Sequence, residues 1–411
     1  MQAMEFQQET FENGLCLIGE INKAAKSAAV GFFVKTGSRD ETPQINGVSH
    51  FLEHMLFKGT ERLNTFEVNE AFDRTGAQFN AFTSEENTVY YAAVLPEYLQ
   101  EVTGLWIEVM KPAIRDEDFA LEKNVIKEEI AMYKDTPSFD VVEKCRSLHF
   151  EGHPCGNNVL GSEESISNLT AAQMKGYFTG RYAPNNMVLA FAGNLDWDKI
   201  RSLARTHCSR WQMQPVTRSL QDFSGSKKKQ RLEKANLICE HICLMSAGVS
   251  AQDKRRFAAS LLATIVGDDV GSRFFWGLVD KALVETATMQ FGAMDGTGVF
   301  CSYICCRSEN VSKVADIVKN IFCGLSRDGV TGDELRKAKN KILSALVIKN
   351  ELPMGRLIDV GFNWMYLKQY RTIEDDVNAV KAVTVDDIHS LIRQFNPGDF
   401  TQFSIGPAQT S

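Results

Sequence analysis

Strand-like and helix-like hydrophobic patterns alternate through the first half of the chain. Short apolar runs predict strands at 29–35, 79–82, 88–94 and 187–192, with a turn at 84–87. Apolar residues that recur three and four positions apart predict helices at 47–58, 65–75, 97–111, 116–134, 172–180 and 197–207. Strands and helices interspersed in this way indicate a unit that combines both kinds of element.

The second half repeats the same order of elements. Apolar runs predict strands at 237–247 and 298–306 and helices at 253–265, 311–325, 332–349 and 385–394. The polar segment 224–230 between the halves is typical of a linker. A chain of 411 residues also exceeds the usual size of one hydrophobic core. We therefore expect two tandem α+β domains, residues 1–218 and 231–411, joined by a linker at about 219–230.

Charge and cysteine content narrow the class of protein. The formal net charge is −7 and no basic run is longer than three residues, which argues against a nucleic-acid-binding protein. The ten cysteines lack a regular spacing, so we expect mostly buried thiols, as in a cytosolic protein. The polar, acidic N-terminal segment does not resemble a secretory signal, and no apolar run is long enough to span a membrane. The expected location is the cytoplasm, with no membrane association.

The segment His50-Phe-Leu-Glu53-His54 carries candidate chemistry. Residues three and four positions apart share a face of a helix, so His50, Glu53 and His54 come together opposite an apolar stripe. Two imidazoles one turn apart suit a single metal ion, and the carboxylate between them is close enough to take a proton from a water molecule. Zinc-dependent hydrolysis needs three protein ligands, an open position and such a base. The alternative interpretation is a solvated polar helix face.

The helix predicted at 116–134 offers a third ligand. Glu122 and Glu129 fall on its apolar face, two turns apart, whereas Glu128 points elsewhere. A carboxylate on a core-facing stripe is unfavourable unless it is paired or bound to a metal. Glu122 or Glu129 is therefore a candidate ligand. The alternative is that ordinary hydrogen bonds, or an arginine such as Arg115 or Arg146, neutralise both carboxylates.

The segment Gly47–Thr60 (GVSHFLEHMLFKGT) resembles the signature of the pitrilysin-type, or insulinase-like, metallopeptidases, the inverted zincins with His-x-x-Glu-His. That family places a third ligand, a glutamate, about 75 residues after the second histidine, and Glu129 lies 75 residues after His54. A second family glutamate, seven residues earlier, matches Glu122. Further matches are Gly37-Ser38-Arg39, Asn80–Thr83, Tyr90-Tyr91, Asp135–Pro137, Gly152–Pro154, Leu160-Gly161 and Tyr182–Met187. The resemblance covers most of residues 12–200, and the layout is similar to that of mitochondrial processing peptidase subunits.

The resemblance implies a metal centre and a mechanism. One zinc ion would be held by His50, His54 and Glu129, Glu53 would act as the catalytic base, and Glu122 would orient the site. The implied fold is two homologous α+β domains, each an antiparallel-rich sheet with helices on one side. Two such chains, as a homodimer or a heterodimer with a related subunit, would close around a chamber that admits short or unfolded peptides.

The resemblance also implies how the substrate binds. Asn80, Ala81, Phe82 and Thr83 match the edge strand to which the family adds an extended peptide as an extra strand. Taken without the resemblance, these residues indicate only the end of a strand near a turn.

The second half departs from the family pattern. Active relatives carry an arginine and a tyrosine, seven residues apart, after a segment matched here by Ser272–Phe275. The corresponding positions hold Leu278 or Val279 and Glu285 or Thr286. A noncatalytic or half-catalytic subunit, whose partner chain supplies these groups, is therefore the alternative function. The intact zinc residues favour an active peptidase. Arg273 could substitute for the arginine, but the family match favours a structural role for it.

A cysteine-rich strand in the second half raises the question of another metal site. Cys239, His241 and Cys243 alternate with other residues and would share one face of a strand. Because the spacing of a zinc ribbon is absent, a buried strand of the second sheet is the favoured interpretation.

Overall fold

A computed structural model describes residues 4–221 and 223–408. Its strands are β1 (Glu5–Thr10), β2 (Cys16–Ile21), β3 (Ala28–Val34), β4 (Gln78–Thr83), β5 (Thr88–Val94), β6 (Met187–Gly193), β7 (Lys229–Glu233), β8 (Cys239–Gly248), β9 (Thr286–Ala293), β10 (Gly298–Arg307) and β11 (Thr401–Gly406). Its α-helices are α1 (Val48–Leu56), α2 (Thr65–Arg74), α3 (Leu99–Val109), α4 (Asp116–Asp135), α5 (Pro137–His149), α6 (Glu163–Asn168), α7 (Ala171–Arg181), α8 (Trp197–Cys208), α9 (Arg256–Gly267), α10 (Val311–Asp328), α11 (Gly332–Asn350), α12 (Pro353–Leu367), α13 (Ile373–Ala382) and α14 (Val385–Gln394).

The chain forms two compact units. The first comprises the residues up to 130 together with 157–219 and 347–372, and the second comprises 131–156, 220–346 and the residues from 373 onward. The units separate near the predicted linker, but α5 belongs to the second unit and α12 to the first. Lys229 and Gln230, which we expected to end the linker, begin strand β7.

The first unit is built on a six-stranded sheet with the strand order β1-β2-β6-β3-β5-β4. Neighbouring strands are antiparallel except β2 and β6, which are parallel. Every residue of β2, β3 and β6 is buried, a pattern typical of strands covered on both faces. One face packs on a large core that includes Phe51 of α1 and Trp106 of α3. The other face packs on Leu357 and Val360 of α12.

The second unit repeats this topology. Its five-stranded sheet has the order β7-β11-β8-β10-β9, and again only one pair, β7 and β11, is parallel. These strands therefore take the places of β2, β6, β3, β5 and β4 in the first sheet. The apolar residues of α9 and α10 cover one face, and α5 packs on β8 and β11. The predicted fold of two related, antiparallel-rich α+β domains is confirmed, with one additional helix on the second face of each sheet.

The structure also bears on the cysteines and on membrane association. All ten cysteines are free thiols, and seven of them are buried, as the sequence predicts. In the part of the chain that the structure describes, no helix combines the length and the apolar character needed to cross a bilayer.

Candidate metal centre and active site

Helix α1 is held firmly at its N-terminus. The carboxylate of Glu41 accepts hydrogen bonds from the backbone N–H groups of Gly47 and Ser49, both at 2.7 Å, and from the side chain of Asn46 at 2.8 Å. These bonds satisfy donors that a helix N-terminus leaves unpaired. Gly47 has φ = 91°, and a Cβ there would lie 2.6 Å from the carbonyl oxygen of Leu160, so glycine is required. The start and the direction of α1 are thereby fixed.

The apolar face of α1 fixes its rotation. Phe51, Leu52 and Leu56 are fully buried in the core of the first unit. His50, Glu53 and His54 consequently lie together on the remaining face, as the helical spacing predicts.

Three possible metal-ligand atoms converge between α1 and α4. The Nε2 atoms of His50 and His54 lie 3.8 and 3.7 Å from the same carboxylate oxygen, Oε2 of Glu129. The ligand atoms of the three residues all lie within 4.8 Å of one another. Donor atoms of a tetrahedral zinc site lie about 3.3 Å apart, so a small adjustment of these side chains would complete such a site. Two imidazole nitrogens and a carboxylate oxygen are also the donor types that zinc takes in hydrolytic enzymes.

Glu122 contacts His54 and Lys58. Its Oε1 lies 2.8 Å from Nδ1 of His54, and its Oε2 lies 2.5 Å from Nζ of Lys58. Burial acts to raise the pKa of Glu122, but the hydrogen bonds from His54 and Lys58 outweigh it and hold that pKa below its usual range. Glu122 is therefore an anion at neutral pH. An anion on Nδ1 directs the lone pair of His54 Nε2 toward Glu129.

The acidic groups around the three donors also favour a cation. Burial, with a smaller contribution from His54, lowers the pKa of His50 to about 3, so this imidazole is neutral. Burial raises the pKa of the Glu129 carboxyl, and the neighbouring His54 opposes that rise. Burial acts to lower the pKa of His54, but the hydrogen bond to Glu122 and the charges of Glu129 and Glu53 outweigh it and raise that pKa. Three carboxylates around one imidazole form an acidic environment that a divalent cation would neutralise.

Glu53, on the same face of α1, contacts the end of strand β4. Its Oε2 accepts a 2.5 Å hydrogen bond from the hydroxyl of Thr83, at the end of β4. Burial raises the pKa of Glu53, while the bonds to Thr83 and the charge of His54 act in the opposite direction. A carboxylate with a raised pKa is a better proton acceptor near neutral pH than an exposed one.

The four residues of the predicted substrate strand lie in β4. This strand pairs with β5 on one side and is the edge of the first sheet. Asn80 is exposed, and its side-chain oxygen accepts the backbone N–H of Ala81 at 2.8 Å. The structure thus brings the end of this edge strand, through Thr83, into contact with Glu53.

The sequence patterns did not indicate Lys58 or Glu41 as parts of the site, nor the contact that the predicted strand residue Thr83 makes with Glu53. Lys58 lies four positions after His54, so helical spacing could have placed it on the same side. The contacts of Thr83 with Glu53 and of Glu41 with the start of α1 join distant segments and had no local signal. Arg115, considered as a partner of the acidic pair, instead donates to the carbonyl of Thr60 and to Asp118.

Comparison with known proteins decides the family. The sequence pattern of insulinase (peptidase family M16) matches residues 18–163, and that of the "peptidase M16 inactive domain" matches residues 168–342. The uncharacterized zinc protease YmxG of Bacillus subtilis is 30% identical over 405 residues, which is 97% of this chain and 98% of that protein. The chain belongs to the M16 family of metallopeptidases. The family predicted from Gly47–Thr60 is thus confirmed.

Solved structures share the M16 fold along the whole chain. A protease from Helicobacter pylori superposes with a TM-score of 0.90 at 21% identity and covers 98% of this chain and 100% of its own. A peptidase M16 inactive domain from Pseudomonas fluorescens gives a TM-score of 0.91 at 19% identity, with 99% of each chain covered. These likenesses concern the fold alone.

Proposed function

We propose that this M16 protein is a zinc-dependent endopeptidase that cleaves short or unfolded peptides. The observation that carries the proposal is the convergence of His50 Nε2 and His54 Nε2 on Glu129 Oε2, next to Glu53 on the same helix. The description of relatives such as YmxG as zinc proteases supports the choice of metal. His50, His54 and Glu129 would hold one zinc ion in the first unit.

The proposed chemistry divides between the metal and two carboxylates. His50, His54 and Glu129 would hold a zinc ion, which when bound would supply a Lewis acid for the attacking water and the scissile carbonyl. Glu53 takes the proton from that water and later delivers it to the leaving amine. The hydrogen bond from Thr83 to Oε2 holds this carboxylate in a fixed orientation. Glu122 keeps His54 in the tautomer and orientation that a ligand needs.

The proposed substrate is a peptide in an extended conformation. The free edge of β4 offers backbone groups to an added strand, and this kind of recognition depends little on side chains. An incoming strand would compete with the Asn80 side chain for the N–H of Ala81. Because Thr83 ends the same strand and contacts Glu53, a peptide paired with β4 would pass beside the base. In this proposal two chains, identical or related, enclose the peptide.

A digest with controlled metal content tests the proposal. The protein would be stripped with a chelator, dialysed, and supplied with zinc or with magnesium before incubation with a mixture of short unstructured peptides. Mass spectrometry of the products should show internal cleavages that disappear on stripping and return with zinc. Cleavage that persists in the stripped protein would contradict the proposal.

One observation favours a second candidate, a subunit that is active only with a partner chain. The positions of the family arginine and tyrosine hold Leu278 or Val279 and Glu285 or Thr286, and Leu278 is fully buried in the second unit. A buried leucine can neither anchor a peptide carbonyl nor stabilise an oxyanion. For this candidate, the zinc-loaded chain alone would be inactive and would elute as a monomer in size-exclusion chromatography. Activity in a homodimer would exclude it.

A further inference from the structure

A second group of metal-ligand side chains lies in the second unit, away from the site described above. Cys239 of β8, Cys305 of β10 and Glu285, the residue before β9, have ligand atoms within 4.8 Å of one another. Among the described residues, the only other group of three His, Cys, Asp or Glu side chains that converges this closely is His50, His54 and Glu129.

The backbone of the second sheet holds the three residues in place. In the antiparallel pairing of β10 with β8, Cys305 lies opposite His241, so Cys239 is its diagonal neighbour on the same face. The N–H of Glu285 donates to the carbonyl of Cys305 at 2.8 Å, immediately before β9 pairs with β10. Two neighbouring strands and the residue that precedes a third thus present one side chain each at one end of the sheet.

The distances fit a metal coordinated by sulfur and oxygen. The Sγ atoms of Cys239 and Cys305 lie 3.6 and 3.5 Å from the two carboxylate oxygens of Glu285. In a tetrahedral zinc site, a thiolate sulfur and a carboxylate oxygen lie about 3.5 Å apart. Thiolates select soft metals such as zinc over magnesium or calcium. Cys305 is 4% exposed, Cys239 is half-buried and Glu285 is exposed, which leaves a path for the ion.

A second close pair of thiols lies on the same strands but has no carboxylate as a third possible ligand. The sulfurs of Cys243 and Cys301 lie 3.7 Å apart on the same two strands, also as diagonal neighbours. Cys243 is buried among apolar groups, and this pair belongs to no group of three converging ligands in the described residues. Cys243 is packed in the core with the half-buried Cys301 against it, whereas Cys239 and Cys305 share a carboxylate.

We propose that Cys239, Cys305 and Glu285 bind a second zinc ion, with a structural role. Binding would release one proton from each thiol, and the fourth position would be taken by water. The ion would tie the start of the edge strand β9 to β8 and β10. The site is independent of the peptidase proposal, since none of its residues lies in the first unit.

Cobalt substitution tests the proposal without interference from the first site. The full chain carrying His50→Ala and His54→Ala would be loaded with Co²⁺, which gives an intense sulfur-to-metal charge-transfer band only with thiolate ligands. We expect that band, and a parallel sample of the same variant loaded with zinc should retain about one zinc per chain after gel filtration. Cys239→Ser should abolish the band and Glu285→Gln should weaken it. Cys323→Ser, which removes the exposed thiol of α10, should leave it unchanged.

Two results would overturn the proposal. The first is the absence of a charge-transfer band in the folded double variant, which would mean that the two thiols only donate hydrogen bonds to Glu285. The second is a band that survives Cys239→Ser, which would place the thiolate ligands elsewhere. The rate of Cys239 alkylation provides a test that does not require a change at Cys239 or Glu285. In the His50→Ala, His54→Ala protein, zinc should slow this modification. Equal rates with and without zinc would count against the site.

Discussion

The contact between Glu122 and His54 should set how tightly the metal centre holds zinc. Glu122 is 4% exposed, and its Oε1 lies 2.8 Å from Nδ1 of His54. A hydrogen bond to a charged group contributes about 1.5–3 kcal/mol, and each 1.4 kcal/mol corresponds to about a factor of ten in a binding constant. Removal of such a partner of a metal-bound histidine typically costs about 10–100-fold in affinity. We therefore expect Glu122→Ala to raise the zinc Kd by about 10–100-fold.

Glu122→Gln separates charge from hydrogen bonding. The amide oxygen of glutamine can still accept the proton of Nδ1, but it no longer carries the charge that polarises the imidazole. The expected order of zinc affinity is the unaltered protein, then Glu122→Gln, then Glu122→Ala. The other partner, Lys58, has a side chain that is 24% exposed, so water can solvate it when Glu122 is lost. The glutamine variant therefore keeps the comparison valid if the alanine variant is less stable.

Competition with a chromophoric zinc chelator measures the affinities directly. The matched control is Glu128→Ala, which alters an exposed glutamate of the same helix. Circular dichroism before the titration would verify that each variant is folded. A Kd for Glu122→Ala within about twofold of the control would refute the reasoning, because it would mean that the His54–Glu122 bond does not support the ligand.

Three further changes have defined outcomes. Thr83→Val removes a charge-assisted hydrogen bond to Glu53 and should lower kcat/KM about tenfold. Because that bond lowers the pKa of Glu53, its loss should move the acidic limb of the pH–rate profile to higher pH. An acidic limb that does not move would contradict this role of Thr83. Burial lowers the pKa of His149 to about 4, whereas the unfolded chain takes up the same proton near pH 6.5, so the folded state loses stability as pH falls from about 6.5 toward 4. The free energy of unfolding in urea should be about 2 kcal/mol lower at pH 5 than at neutral pH because of this residue. His149→Asn should reduce this pH dependence. Arg356→Met leaves the buried Glu20 without its ion pair and should lower the free energy of unfolding by about 3–5 kcal/mol in a urea titration, and a loss below about 1 kcal/mol would count against it.

Elements with a strong amphipathic period were predictable from the sequence. Helix α14 begins and ends where the pattern places it, because Thr384 and Asp387 form a capping box in front of a regular apolar stripe. Strand β5 was predicted with its observed bounds, since it is rich in β-branched and aromatic residues between polar turns.

Helix α12 shows why other elements were missed. Its interior contains Gly355 and Gly361, which weaken a helical pattern by about 1 kcal/mol each. The structure supplies the reason for glycine, because a Cβ on Gly361 would lie 2.2 Å from the ring of Phe33 in β3. Close packing on the sheet overrides local propensity here. Strands β2, β3 and β6 are buried at every residue, a pattern that indicates that both faces of the sheet are covered.

Some features of the candidate site were likewise predictable from the sequence, and others were not. The face shared by His50, Glu53 and His54 follows from spacing within one helix, and spacing also placed Glu122 and Glu129 on one face. The contact of Thr83 with Glu53 depends on how β4 packs near α1, which no local pattern encodes. The sequence likewise suggested grouping Cys239 with His241 and Cys243. The strand register instead places Cys305 as the diagonal neighbour of Cys239, where both thiols share Glu285.

The most direct test of the central claim is a paired measurement on Glu53→Gln. Zinc content after gel filtration and peptide turnover would be determined for this variant and for the unaltered protein under the same conditions. If Glu53 is the base and His50, His54 and Glu129 are the ligands, the variant will retain as much zinc as the unaltered protein while internal peptide cleavage is lost. Cleavage that continues in the zinc-loaded variant would contradict the account.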